Sequence, residues 1–313
     1  MIVPEPYRAR PARREDLDDL VELFEARDLV DVGFVDQARE EILEDWASPT
    51  LDFARDTTVV ENPEGAVAAY GIVLVNDPDV QVFAMGKVHP SHVGRGLGAA
   101  IFAEQERRAR ELIGPGMSSP LRTSVPETDV AAHGLARSCG YAHVRSSWLM
   151  ERALPAPDVA GSDPGGITFR LGSAGDEPTI HAVLESAFEQ HFGYERMPYE
   201  QWARWVRASP GYDPALVVLA CSGDRPVGVS VNLAAPDGAG WIGDLGVLEG
   251  FRRRGIASAL LARSFETLAA AGHHQVRLGV DSENATGATR LYEGVGMTVR
   301  RRFDLFEKQL TGA

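Results

Sequence analysis

Apolar positions along this chain fall into two rhythms, and the order in which the rhythms alternate occurs twice. In the second half, ITFRL, ALVVLACS, PVGVSVNLA, WIGDLGV, QVRLGV and RFDLFEKQL carry the short apolar or alternating runs of strands. Between them VLESAF, SALLARSFETLAAAG and ATGATRLYEGVG space their apolar residues three and four apart, the pattern of amphipathic helices. The first half repeats the order. RPARREDLDDLVELF from Arg10 and RLGSAGDEPTIHAVLESAF from Arg170 each run into a helix, with Asp16 and Asp176 six residues after the arginine. VFAMGKV answers WIGDLGV, and each feeds a glycine-containing loop, HPSHVGRGLG or LEGFRRRGIA, that opens a helix. SCGY then answers GVGM, and LMER answers LFEK.

The spacing between copies drifts little: Arg10 to Arg170 is 160, Gly96 to Gly255 is 159 and Gly140 to Gly296 is 156. Such a steady register marks a duplication. Residues 1–153 and 167–313 are expected to form two tandem domains, joined by the Pro/Gly-rich linker 154–166. Each copy reads as strand, one or two helices, several strands, helix, strand, helix, strand. That order predicts an α+β domain whose central sheet is mostly antiparallel and flanked by helices.

Composition narrows the classes. With 44% hydrophobic and 24% charged residues, the 313-residue chain is globular in type. No run approaches the roughly 18–20 apolar residues of a membrane span, and the N-terminal stretch carries charges where a secretion signal needs an apolar segment. A cytoplasmic protein without membrane partners is expected. Cys139 and Cys221 suggest no disulfide framework and read as structural. A formal net charge of −14 argues against nucleic acid and leans toward small substrates carrying an amine.

The chemistry concentrates in RRRGIASALLARSFETLAAAG. Arg252, Arg253, Arg254 and Gly255 stand just before a helix, whose first turn has unpaired N–H groups and a partial positive charge. Glycine lets the backbone bend around an anion, and the small Ala257 keeps the helix start close to it. A pyrophosphate suits such a site.

Val247, Arg252, Gly255 and Ala257 resemble the R/Q-x-x-G-x-G/A signature of the GCN5-related N-acetyltransferase superfamily, in its usual place after a strand. Val280, Asn284, Gly287, Ala288, Tyr292, Gly296 and Met297 resemble a second element of that family. The tandem layout is similar to that of the mycothiol synthases, in which the C-terminal half carries the activity. The resemblance implies that acetyl-CoA is the cofactor. Backbone around Leu245 and Val247 would pair with the pantetheine arm, and Arg252–Ala257, including Ile256, would hold the pyrophosphate. Asn284 would contact pantetheine, and Tyr292 would sit near the thioester sulfur. A phenol there can protonate the departing thiolate, although Tyr292 could equally be a core aromatic.

For the general base, Asp244 is the only acid in WIGDLGV. Strand alternation sets it opposite Trp241, Gly243 and Leu245, and a buried structural Asp is the rival reading. Glu189, His191 and Glu195 are alternative bases or substrate contacts, while Trp202, Trp205 and Tyr212 line a pocket or pack the core. In the first copy Val88, Gly94, Arg95, Gly96, Leu97 and Gly98 keep a possible second cofactor loop. Val93 replaces the arginine, however, the asparagine is missing, and Ala136 stands where Tyr292 does. That copy either binds cofactor without turnover or is structural. His89 and His92 form an H-x-x-H without further ligands, so no metal is expected. Gly94-x-Gly96-x-x-Ala99 lacks the context of a dinucleotide fingerprint. The expected function is direct acetyl transfer to a small-molecule primary amine by a monomer (an internal pseudo-dimer) or homodimer. Acetylation of protein amines and non-catalytic acyl-CoA binding are the alternatives.

Overall fold

The computed structural model describes residues 1–312 except 36, 37, 78–80, 158, 160–163, 190–193, 195, 210, 236 and 284–286. Along the first copy run β1 (Arg8–Arg10), α1 (Leu17–Asp31), α2 (Ala38–Trp46), the short α3 (Phe53–Asp56), β2 (Thr57–Glu61) and β3 (Val67–Asp77). They are followed by β4 (Gln81–Val88), α4 (Leu97–Ile113), β5 (Ser118–Pro126), α5 (Val130–Ser138) and β6 (Ala142–Ala153). The second copy begins with β7 (Thr168–Leu171), α6 (Glu177–Phe188), α7 (Tyr199–Ala208), β8 (Val218–Ser222) and β9 (Arg225–Ala234). It continues through β10 (Gly240–Val247), α8 (Ile256–Ala270), β11 (Gln275–Asp281), α9 (Ala288–Gly294) and β12 (Thr298–Thr311). The α+β class and the repeated element order are those the pattern predicts. Among the described residues no helix is long and apolar enough to cross a membrane.

The copies do not fold as consecutive segments. One compact unit comprises residues 1–146 with 302–313, and the other comprises 147–301. The linear boundaries at 153 and 167 therefore differ from the units the chain forms. In the first unit the strand order is β1-β2-β3-β4-β5-β12, antiparallel throughout except for the parallel pair β4/β5. In the second it is β7-β8-β9-β10-β11-β6, again antiparallel except for β10/β11. Each copy thus gives its last strand to the other's sheet. The repeat permits this, because LMER and LFEK are equivalent segments. Met150 of β6 is fully buried in the second unit's core with Phe265 and Leu278, and Phe306 of β12 is fully buried in the first unit's core with Val73 and Leu121. Burying such a side chain contributes about 1.5–3 kcal/mol, so the exchanged strands are core elements of their hosts. Part of the expected linker is also core: Leu154 is buried and Val159 packs beside it.

In the second unit β8 and β9 are apolar on both faces because helices cover both. Val218, Ala220 and Val227 face α8 with Ile256 and Leu260, whereas Leu219, Cys221, Val229 and Val231 face α6 and α7 with Val183, Leu184, Trp202 and Val206. Cys221 is buried and unpaired; Cys139 follows the end of α5.

The two Arg/Asp pairs noted in the sequence have one role. Asp16 takes the Arg10 guanidinium at 2.7 and 2.8 Å, and Asp176 takes that of Arg170 at 2.9 and 2.5 Å. Each aspartate also accepts from the backbone N–H three residues before it, at Arg13 or Ser173. The start of α1 and of α6 is thereby fixed to the first strand of its copy.

Candidate active site

In the second unit β10 and β11 pair only at Gly240↔Val276 and Trp241↔Arg277. Beyond that point they part, and the side of β10 turned toward β11 is left open from Ile242 to Val247. A bulge lies at the divergence. The β9/β10 register passes from Ile242↔Asn232 to Asp244↔Val231 and skips Gly243. A Cβ on Gly243 would stand 2.9 Å from Leu233 Cδ1, so a larger residue there would have to displace the end of that side chain.

The bulge corrects the alternation argument. Side chains of paired residues share a face, so Asp244 lies with Val231 on the α6/α7 face, together with Trp241↔Leu233 and Gly246↔Val229. Ile242 and Leu245, three apart, both lie on the α8 face. Asp244 is therefore opposite Leu245, as expected, but on the same face as Trp241. Its carboxylate has no hydrogen bond or ion pair among the described residues. Part of its surface is open, yet the surrounding protein is dense enough that burial pushes its pKa up.

After β10, a short turn at Glu249–Phe251 leads into the glycine loop. Arg252 has a structural task here. Its Nε donates to the Val247 carbonyl at 3.1 Å and its Nη2 to Ala187 O at 2.8 Å, tying strand end, loop and α6 together. Its guanidinium is thus turned to protein carbonyls. Arg253 is exposed and adopts φ +60°, in the left-handed region, and Gly255 caps α8 at φ +79°. Arg254 stacks over Phe251 at 5.4 Å. Ile256 is buried beneath the helix start, and Ala257 and Ser258 follow in the first turn. With no cap side chain, first-turn N–H groups of α8 remain available.

Tyr292 sits on α9, 9% exposed, in the apolar cluster that contains Ile242 and is flanked by Leu245. Burial, and then the nearby Asp244 charge, push its pKa up to about 12. Asp244 and Tyr292 thus lie toward opposite faces of β10, near enough for the carboxylate charge to act on the phenol. On the α6/α7 face Glu189 ends α6, exposed and 3.9 Å from Arg196. His191 and Glu195, like Asn284, lie outside the described residues. Trp202 is core, Trp205 is exposed and Tyr212 packs at the edge of the α7 cluster. Sequence reading overlooked Glu185, which accepts from Met197 N at 3.3 Å and lies 3.4 Å from Arg196 and 3.8 Å from His181. It orders the connection from α6 to α7, and its i,i+4 spacing from His181 was the available signal.

The model of the acetyltransferase (GNAT) family matches residues 179–297, which contain this site. The chain is 32% identical over 253 residues to a mycothiol acetyltransferase of Beutenbergia cavernae, covering 77% of this chain and 79% of that one. It is 30% identical over 300 residues to one of Clavibacter sepedonicus, covering 92% of each. The crystal structure of a GCN5-related N-acetyltransferase from Sphaerobacter thermophilus superposes with a TM-score of 0.89 at 32% identity, covering 100% of this chain and 98% of that one. The chain belongs to the GNAT family. It is a tandem member, and a tandem GNAT protein from the clavulanic acid biosynthesis pathway has the same fold, with a TM-score of 0.70 at 15% identity, covering 97% of this chain and 98% of that one.

As a GNAT enzyme the chain is an N-acetyltransferase that uses acetyl-CoA. The second unit fits that molecule: a glycine-capped helix N-terminus suits a pyrophosphate, and the open edge of β10 suits the amides of pantetheine. The first unit keeps the GNAT backbone. There β4 and β5 pair only at Val82↔Leu121 and Phe83↔Arg122, and Gly94 and Gly96 take φ +78° and +80° before α4. Val88 lies at the strand end, Leu97 is buried below the loop, and Gly98 approaches Leu135 so closely that a Cβ would be 2.7 Å from it. Arg95 is directed to the Tyr7 hydroxyl, which also bonds His92. The chemistry differs. The β3/β4 register runs without a skip from Val75↔Val82 to Ala69↔Val88, so the bulge is missing. Met85 stands at the offset of Asp244, and Ala136 is buried at that of Tyr292.

Proposed function

We propose that the second unit transfers acetyl from acetyl-CoA directly to a primary amine of a small molecule, in the cytoplasm, and that the first unit holds acetyl-CoA without an external acceptor. The observation that carries the reading is the open edge of β10 beside the glycine-capped start of α8, with Asp244, a carboxylate without a protein partner among the described residues, on one face of the strand and the buried phenol of Tyr292 toward the other.

Backbone N–H groups of residues 253–257 would hold the pyrophosphate, and the edge of β10 at Leu245 and Val247 would hold the pantetheine arm. Bound there, acetyl-CoA supplies an acetyl group activated as a thioester. Asp244 faces α6 and α7, so an amine reaches it from the side on which Glu189 lies. The carboxylate accepts the ammonium proton, directly or through a water, and its raised pKa makes it a stronger base than an exposed aspartate. Tyr292 keeps its proton at neutral pH and delivers it from Oη to the leaving sulfur.

Mycothiol acetyltransferases among the relatives make their amine substrate the first to test, and the charge of −14 suits a cationic acceptor. Release of free CoA from acetyl-CoA is measured over that amine and a broad panel of small primary amines. Saturable, amine-dependent release supports the reading. Tight binding of acetyl-CoA with no amine-dependent release overturns it.

A further inference from the structure

Of the 31 lysines and arginines only two are lysines, Lys87 and Lys308, and both belong to the first unit. Lys308 is fully engaged, donating to Glu106 Oε1 at 2.7 Å and to Cys139 O at 2.8 Å. Its counterpart Arg152 makes the same kind of bond to Val295 O, so either basic residue serves there.

Lys87 has a different setting. It lies on the stretch of β4 that has left β5, directly after Gly86. Its register partner is Tyr70, as Val229 is the partner of Gly246, so Lys87 occupies the place of Gly246 on the face that carries Asp244 in the second unit. Gly246 is covered by Ala187 of α6. At the corresponding place the first unit projects a primary amine. Its Nζ lies 4.0 Å from the centroid of Phe24, 3.5 Å from Asp28 and 3.9 Å from Glu41. These groups come from α1 and α2, the counterparts of α6 and α7. An aromatic ring with carboxylates around it is the chemistry that holds a cationic amine. The lysine side chain is 17% exposed, so the amine is enclosed but not sealed.

We propose that Lys87 is the built-in acceptor of the first unit, and that the chain acetylates itself once at this nitrogen. The proposal rests on the reading that the first unit holds acetyl-CoA. The Lys87 ammonium first gives one proton to a carboxylate facing it. The neutral Nζ then forms the C–N bond to the acetyl carbon as the C–S bond breaks, its second proton passes to water and CoA departs as thiolate. Asp45 of α2 lies within electrostatic reach of Lys87, and burial, then Glu41 and Glu44, push its pKa up to about 7, a value suited to a base. With Ala136 in place of a phenol, water must protonate the sulfur, so the reaction is slow. Since the acceptor is part of the chain, it also stops at one acetyl group.

The full chain is incubated with isotope-labelled acetyl-CoA and peptide-mapped over time, in wild type, Lys87→Arg, Gly94→Asp and Tyr292→Phe. Asp tolerates the left-handed conformation at position 94, and open space surrounds the site, while its charge repels a pyrophosphate. The expected result is label at Lys87 approaching one per chain, with a rate independent of protein concentration. The label persists in Tyr292→Phe. It slows about tenfold or more in Gly94→Asp, the loss of one charged hydrogen bond, and calorimetry there shows one bound CoA fewer per chain. Absence of label at Lys87 in wild type, or equal labelling in Gly94→Asp, overturns the proposal. Amine-dependent CoA release by the second unit is followed in the same Lys87→Arg protein, so its failure is read separately.

Discussion

The Asp244 carboxylate on β10 lies within electrostatic reach of the Tyr292 hydroxyl on α9, and neither has a hydrogen-bond partner among the described residues. A carboxylate left alone in a partly buried recess costs stability, so its retention points to use. The sign follows from its raised pKa. Between the ordinary value of about 3.9 and the raised folded value, the folded chain keeps a proton that the unfolded chain has released. Stability therefore falls as pH rises through that window, and the cost is complete above it. Asp244→Asn is expected to lower amine-dependent turnover by about 10²–10⁴-fold and to raise thermal stability at pH 7. The gain should vanish below about pH 4, where both forms are neutral. Scans of both proteins across pH, alongside turnover, check this; loss of stability at pH 7 would mean that Asp244 is structural.

Arg253 holds the left-handed backbone that Gly94 holds in the other copy. A side chain there costs about 1–2 kcal/mol, partly offset because glycine loses more freedom on folding. Arg253→Gly should therefore leave stability unchanged or raise it by up to about 1 kcal/mol, while the KM for acetyl-CoA rises and kcat holds. Denaturant titration and steady-state kinetics separate the two effects. An unchanged KM would remove the guanidinium from the cofactor site.

Strand exchange makes distant positions matter to the wrong end of the chain. Phe306→Ala is expected to destabilise the first unit by about 3–5 kcal/mol, although the residue stands seven positions before Ala313. Met150→Ala should weaken the second unit by about 2–5 kcal/mol. Hydrogen exchange resolved by peptide gives the answer. Faster exchange in β8 and β9 after Phe306→Ala, with β2 and β3 unaffected, would contradict the exchange.

Much of this was legible in the residues. Period and spacing placed the strands and helices of the second copy, the Arg10/Asp16 and Arg170/Asp176 pairs marked equivalent positions, and the glycines at 94, 96 and 255 marked the loops. Two features were not. The exchange of β6 and β12 is invisible because LMER and LFEK are interchangeable, so local pattern cannot say which sheet each enters. The bulge at Gly243 is a single residue of register, and without it strand parity misplaced Asp244 relative to Trp241. Arg252 also matched a family signature while its guanidinium, in the fold, serves Val247 and Ala187.

The central claim is that Tyr292 supplies the proton that releases the thiolate, and its most direct test is kcat in Tyr292→Phe beside calorimetric binding of CoA. The expected result is unchanged CoA affinity with kcat lower by about 10²-fold or more, and least impaired at low pH, where solvent supplies the proton. Wild-type kcat in the phenylalanine protein would contradict the account.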